Sequence, residues 1–170
     1  MNLKWIGAAI VLLGCGGFGF YLAAQHRREE KNLRQLIAVM DYMECELEYR
    51  LTSLPELCRN ASDVSTGMVR NLFLSLSREL DRQIAPDASC CMQAVLTEVK
   101  NLSPQTAKIM IHLGKTLGRF DLPGQLRGLE SVRRECVQAL EQLTANRDMR
   151  IRSYQTLGLC AGAALAILFL

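Results

Sequence analysis

The stretch MIHLGKTLGRFDLPGQLRGLESVRRECVQAL, residues 110–140, carries the reading from which the rest of the fold follows. It runs as amphipathic helix, tight corner, amphipathic helix. Leu113-Gly114 and Leu117-Gly118 repeat a Leu-Gly pair four residues apart, which puts both glycines on one helical face. Each glycine costs a helix about 1 kcal/mol against alanine, so the pair predicts a close backbone approach to another helix. Asp121 then stands where a helix N-cap is wanted, with Pro123 just inside the helix it opens. From Leu126 onward Leu129, Val132, Cys136, Leu140 and Leu143 recur at three- and four-residue steps, a helical period.

Downstream of that helix the chain loses its charges. Residues 154–170 carry none, and an apolar helix with no polar face belongs in a large core or in lipid. The 170-residue chain is too small to bury it, so a C-terminal membrane span is expected over 154–170. The other end matches. Trp5 to Ala24 is free of charge, and at about 1.5 Å per residue it reaches roughly the 30 Å of a hydrocarbon core. A span is expected within residues 1–24. Leu12-Leu13-Gly14-Cys15 offers a rival, the lipobox of a lipoprotein, but the residues after Cys15 stay apolar where a lipoprotein turns polar. Cys15, Gly19 and Ala23, like Gly158, Gly162 and Ala166, are spaced for close helix packing, between the two spans or with a partner's helices.

Basic residues set the orientation. Arg27, Arg28, Lys31 and Arg34 follow the first apolar segment, and Arg147, Arg150 and Arg152 precede the second. The positive-inside rule puts residues 25–153 in the cytoplasm with both termini across the membrane.

That middle reads as one all-α domain, an antiparallel helical bundle flanked by the N-terminal and C-terminal transmembrane helices. The first helix continues from the first span to about Leu51, with Leu33, Leu36, Ile37, Met40, Met43 and Leu47 on one stripe. Ser53-Leu54-Pro55 breaks it, and a short helix follows from Pro55 to Asn60. A third helix carries Leu72, Phe73 and Leu76 and stops near Pro86; Asp87 caps a fourth; Ser103-Pro104 opens a fifth. The first and last helices are expected to be neighbours, since both meet the same membrane.

Chemistry is sparse. His26 and His112 are isolated, no phosphate-binding glycine loop is present, and no Cys-x-x-Cys occurs among seven cysteines. The cysteines read as reduced, small, buried side chains. Glu44, Glu46 and Glu48 alternate along a helix, so they share no face and read as solvated. A net charge of +3 without a basic stripe argues against nucleic acid. The expectation is therefore no enzyme, no cofactor and no metal site. The features that stand out are those of the corner, and they are the candidate partner-binding set: Gly114, Leu117, Gly118, Arg119, Asp121 and Gln125.

Those corner residues, the long charged helix behind them and the final segment from Leu157-Gly158 resemble the stage III sporulation protein AB family. The N-terminal half agrees, with its arginine-rich exit from an apolar segment, its Glu-x-Glu and its Leu54-Pro55-Glu56. The likeness covers the whole chain and departs at Phe120, where a small polar residue would be expected before the aspartate. The family's soluble domain is similar to the cytoplasmic domain of the type II secretion F protein. By implication the chain is a platform component of the channel complex joining mother cell and forespore. It would lie in the outer forespore membrane with its domain in the mother-cell cytoplasm. The implied partners are a secretion-type ATPase, like stage III sporulation protein AA, and the other membrane proteins of the complex, with several copies accommodated. Two readings outside that family stay open: a membrane-anchored adaptor or sensor, and a lipoprotein with an extracytoplasmic bundle.

Overall fold

Six helices make up the described residues: α1 (Asn2–Arg50), α2 (Leu54–Asp63), α3 (Gly67–Arg82), α4 (Ala88–Glu98), α5 (Pro104–Thr116) and α6 (Leu122–Phe169). No strand occurs among them. The computed structural model describes residues 2–50, 52–82, 87–99, 102–118 and 121–169, with side chains over 25–50, 52–82, 87–99, 102–118 and 121–145. The expected spans at 1–24 and 154–170 and the corner residues Arg119 and Phe120 lie outside the described side chains. Among the described residues no helix is long and apolar enough to cross a membrane.

The short helices start where local chemistry dictates. Asp87 Oδ1 accepts the Cys90 N–H at 2.8 Å, and Ser103 Oγ accepts the Thr106 N–H at 3.1 Å, each relieving an unpaired donor of a first turn. Pro55 and Pro104 sit in the first turns of α2 and α5, where a missing N–H costs nothing. The second helix runs to Asp63 rather than stopping at Asn60, because Ala61 and Ser62 are both buried and reward one more turn.

The helices close a ring. α1 packs along α6, α2 folds back against α3, α4 pairs with α5, and the α3–α4 and α5–α6 contacts complete the circuit. The axis is filled by one apolar cluster to which every helix contributes, including Leu36, Met43, Leu57, Phe73, Met92, Leu113 and Val132. The long helices are antiparallel neighbours, as expected of the first and last helices. Arg133 of α6 is ion-paired with Asp41 of α1, and His112 Nδ1 of α5 lies 2.8 Å from Glu135 Oε1 of α6.

Two expectations change. Cys58, Cys91 and Cys136 are buried as foreseen, but Cys45 and Cys90 are exposed. Glu46 is not solvated: it is 8% exposed, because the α1–α2 turn folds over it. Its Oε2 accepts the Thr52 hydroxyl at 3.1 Å, and Arg50 lies 3.4 Å from Oε1.

Candidate functional site

The direction of the two long helices gives the bundle a base and a tip. α1 rises from the N-terminal apolar segment and ends at Arg50; α6 starts at Leu122 and returns toward the C-terminal one. The tip is therefore built by two turns side by side, α1–α2 and α5–α6. The corner singled out in the sequence is one of them.

Its residues divide into two jobs. Gly114 lies inside α5 with α4 against it: a Cβ there would stand 2.7 Å from Met92 Cβ and 3.4 Å from the Ala88 carbonyl oxygen. This is the close helix approach that the Leu-Gly spacing predicts. Gly118 does something else. α5 has already ended at Thr116, and Gly118 takes φ +71°, the left-handed conformation that closes a helix and that glycine adopts without penalty. The two glycines therefore do not share a helical face, because the helix stops between them. Leu117, 2% exposed, caps the end with its N–H on the Leu113 carbonyl at 3.0 Å.

After the corner, Asp121 Oδ1 accepts the Gly124 N–H at 3.3 Å, and its carbonyl accepts the Gln125 N–H at 2.9 Å, opening α6 as a cap should. The matching close approach on α6 is Gly128, where a Cβ would meet Thr116 Cβ at 2.8 Å. Sequence reasoning missed Gly128, although Gly124 and Gly128 are spaced four apart like the α5 pair.

Between the two turns lies a half-open hollow of about 210 Å³, lined by Leu47, Thr52, Leu54, Leu122 and Gln125. Leu54 also covers Gly118, its Cδ2 3.2 Å from where a Cβ would be. Thus Leu117, Gly118, Asp121 and Gln125 come together at the tip, whereas Gly114 sits a turn below against α4. The hollow's other wall comes from α1–α2, which local spacing around the corner could not reveal. Behind that wall Glu46 forms a small polar knot. Burial and the Glu46 carboxylate, in that order, hold the Tyr42 phenol above its ordinary value, and the Thr52 hydroxyl donates to the same carboxylate. Beside it Tyr49 is 78% exposed. Glu46→Ala would strand the Thr52 and Tyr42 hydroxyls and is expected to lower stability by about 1–2 kcal/mol. Glu46→Gln, which keeps an acceptor, is expected to cost less; denaturant midpoints compare the two.

Among the described residues no group of His, Cys, Asp or Glu is placed to hold a metal ion. The features define a class: an all-α bundle carried on two long antiparallel helices, with a shaped, partly apolar tip. Residues 4–170 match stage III sporulation protein AB, and the chain belongs to that family. It is 25% identical to the stage III sporulation protein AB of Bacillus subtilis (strain 168) over 173 aligned positions, covering 99% of both chains. A solved stage III sporulation protein AB shares the fold with a TM-score of 0.62 at 19% identity, covering 72% of this chain and 98% of that one.

Proposed function

We propose that this sporulation-family chain is a membrane-anchored, non-enzymatic platform of a secretion-like channel complex, and that its tip docks a secretion-type ATPase. The observation that carries this reading is the position of the hollow. It lies at the end of the bundle farthest from both apolar termini, where a cytoplasmic partner has free access. Its walls come from the two turns that join the long helices to the rest of the domain. Force or contact applied there passes directly into α1 and α6. In this reading the residues of 1–24 and 154–170 anchor the chain in the mother cell's outer forespore membrane and residues 25–153 face the cytoplasm.

The test is capture of the ATPase by the full chain from native membranes. Gln125→Ala and Arg119→Glu are expected to leave the domain folded, by circular dichroism and melting, while reducing capture severalfold. Undiminished capture with both variants would refute tip docking. Protease added outside intact protoplasts should spare residues 25–153; their digestion while cytosolic markers survive would overturn the orientation.

A further inference from the structure

The base of the bundle carries a feature that docking at the tip does not use. Arg27, Arg28, Lys31 and Arg34 are all exposed on α1 just beyond the first apolar segment. At 100° per residue they span about a third of the helix circumference, opposite the face on which Leu33, Leu36 and Met40 enter the core. Elsewhere on the bundle Arg50, Arg59, Arg82, Arg133 and Arg134 each pair with a carboxylate, whereas Arg70, Arg78 and Arg127 stand singly rather than in a cluster. Among the described residues of the base only Arg34 does so, with Glu30 at 3.0 Å. Among the described residues Arg27, Arg28 and Lys31 have no ion pair.

The second helix adds to the same band. The Arg133–Asp41 pair fixes the antiparallel register of α1 and α6. Arg27 lies as far from Asp41 along α1 as Arg147 lies from Arg133 along α6, and both helices rise equally per residue, so Arg27 and Arg147 stand at one level. Arg150 falls at the level where the first apolar segment ends. The α6 positions 147 and 150 thus lie along the helix at the level of the α1 cluster, and together these positions are termed the collar, at the height where a headgroup layer would lie. Basic groups within about a Debye length of one another act together on an anionic surface.

We propose that this collar binds anionic phospholipid headgroups, so that the platform selects the acidic lipids around it. The proposal rests on the membrane-anchored reading above and names the lipid class that reading leaves open. The bridge between positive charge and headgroup phosphate also fixes the depth and upright pose of α1 and α6, and so the height of the tip.

The experiment uses the purified full chain reconstituted in vesicles of phosphatidylcholine and phosphatidylglycerol. Lipid co-isolated with the chain in native polymer discs is compared with the bulk ratio. Each basic residue near such a surface contributes about a fivefold preference. Phosphatidylglycerol is therefore expected to be enriched about fivefold or more at low salt, and to fall toward the bulk ratio at high salt. The quadruple variant Arg27→Gln, Arg28→Gln, Lys31→Gln, Arg34→Gln should lose most of the enrichment with helicity and melting unchanged. Both lipids at the bulk ratio in the wild-type chain, or full enrichment in the variant, would overturn the collar and leave the anchor standing. No lipid of either kind would overturn both. Displacement by inorganic phosphate at matched ionic strength would make the site a phosphate site and defeat the lipid assignment.

Discussion

Gly114→Leu is expected to prevent the bundle from folding, and Gly114→Ala to destabilise it by about 1–3 kcal/mol. Intrinsic helix propensity argues the opposite sign, since alanine in place of a helical glycine gains about 1 kcal/mol. The tertiary contact wins because of what the new atom would meet. Met92 Cβ, 2.7 Å away, is not the free end of a flexible side chain but the first carbon off the α4 backbone. It can yield only if α4 moves away from α5. That movement would open the core around Met92, Met110 and Leu113, all fully buried. A leucine adds three more carbons to the same place. A domain of this size has a stability of about 5–15 kcal/mol, and separating two of its six helices consumes much of that. Chemical denaturation of the alanine variant and the soluble yield of the leucine variant check the prediction. A leucine variant with native stability would show that α4 and α5 do not meet there. Gly118 provides the contrast: its substitution by alanine strains a left-handed residue at a cost of about 1–2 kcal/mol, without separating helices.

The second large effect is alkaline lability. Burial pushes the Cys58 thiol up to about 12, with the neighbouring Cys91 adding to the shift, and burial with Glu135 does the same for Cys136. A thiol becomes charged when it loses its proton, and the closed apolar core refuses that charge. The unfolded chain releases the proton near the ordinary value of 9, the folded chain only near 12. The stability each protonated thiol contributes is therefore complete below pH 9 and is lost as pH rises through 9 to 12. By pH 11 the loss amounts to about 2–3 kcal/mol per thiol, so the two together threaten the fold. Melting temperature against pH should fall steeply above pH 9. The double variant Cys58→Ala, Cys136→Ala should start lower at neutral pH, having lost packing, yet decline less steeply. Parallel slopes for the two proteins would refute the assignment of the loss to these thiols.

These two predictions differ in how far the sequence foretold them. The Leu-Gly repeat marks Gly114 as a place where another helix comes close, but it marks Gly118 in the same way. Only the end of α5 at Thr116 separates the helix-packing glycine from the turn glycine. Cysteine burial was expected from residue type, yet Cys45 and Cys90 face solvent while Cys58 and Cys136 do not. Helical phase relative to the core decides that, and the phase depends on which neighbours surround each helix. Glu46 is the clearest case. Alternation with Glu44 and Glu48 places it on another face, but nothing local says that Thr52, beyond the end of α1, turns back to receive it.

The amino-acid sequence by itself determined the helices, their order and most of their caps. Those are short-range matters: a period of three and four, an aspartate or serine before a first turn, a proline inside it. It also marked the corner between α5 and α6 and supported the family likeness, since both reside in contiguous residues. The tertiary structure alone decided that the α1–α2 turn is the other half of that corner's hollow. It alone decided that the basic clusters of α1 and α6 stand at one level. Both depend on the antiparallel register of helices more than ninety residues apart in the chain, as the Arg133–Asp41 pair shows. Such a register is set by how side chains interlock across an interface, and no spacing within either helix encodes it.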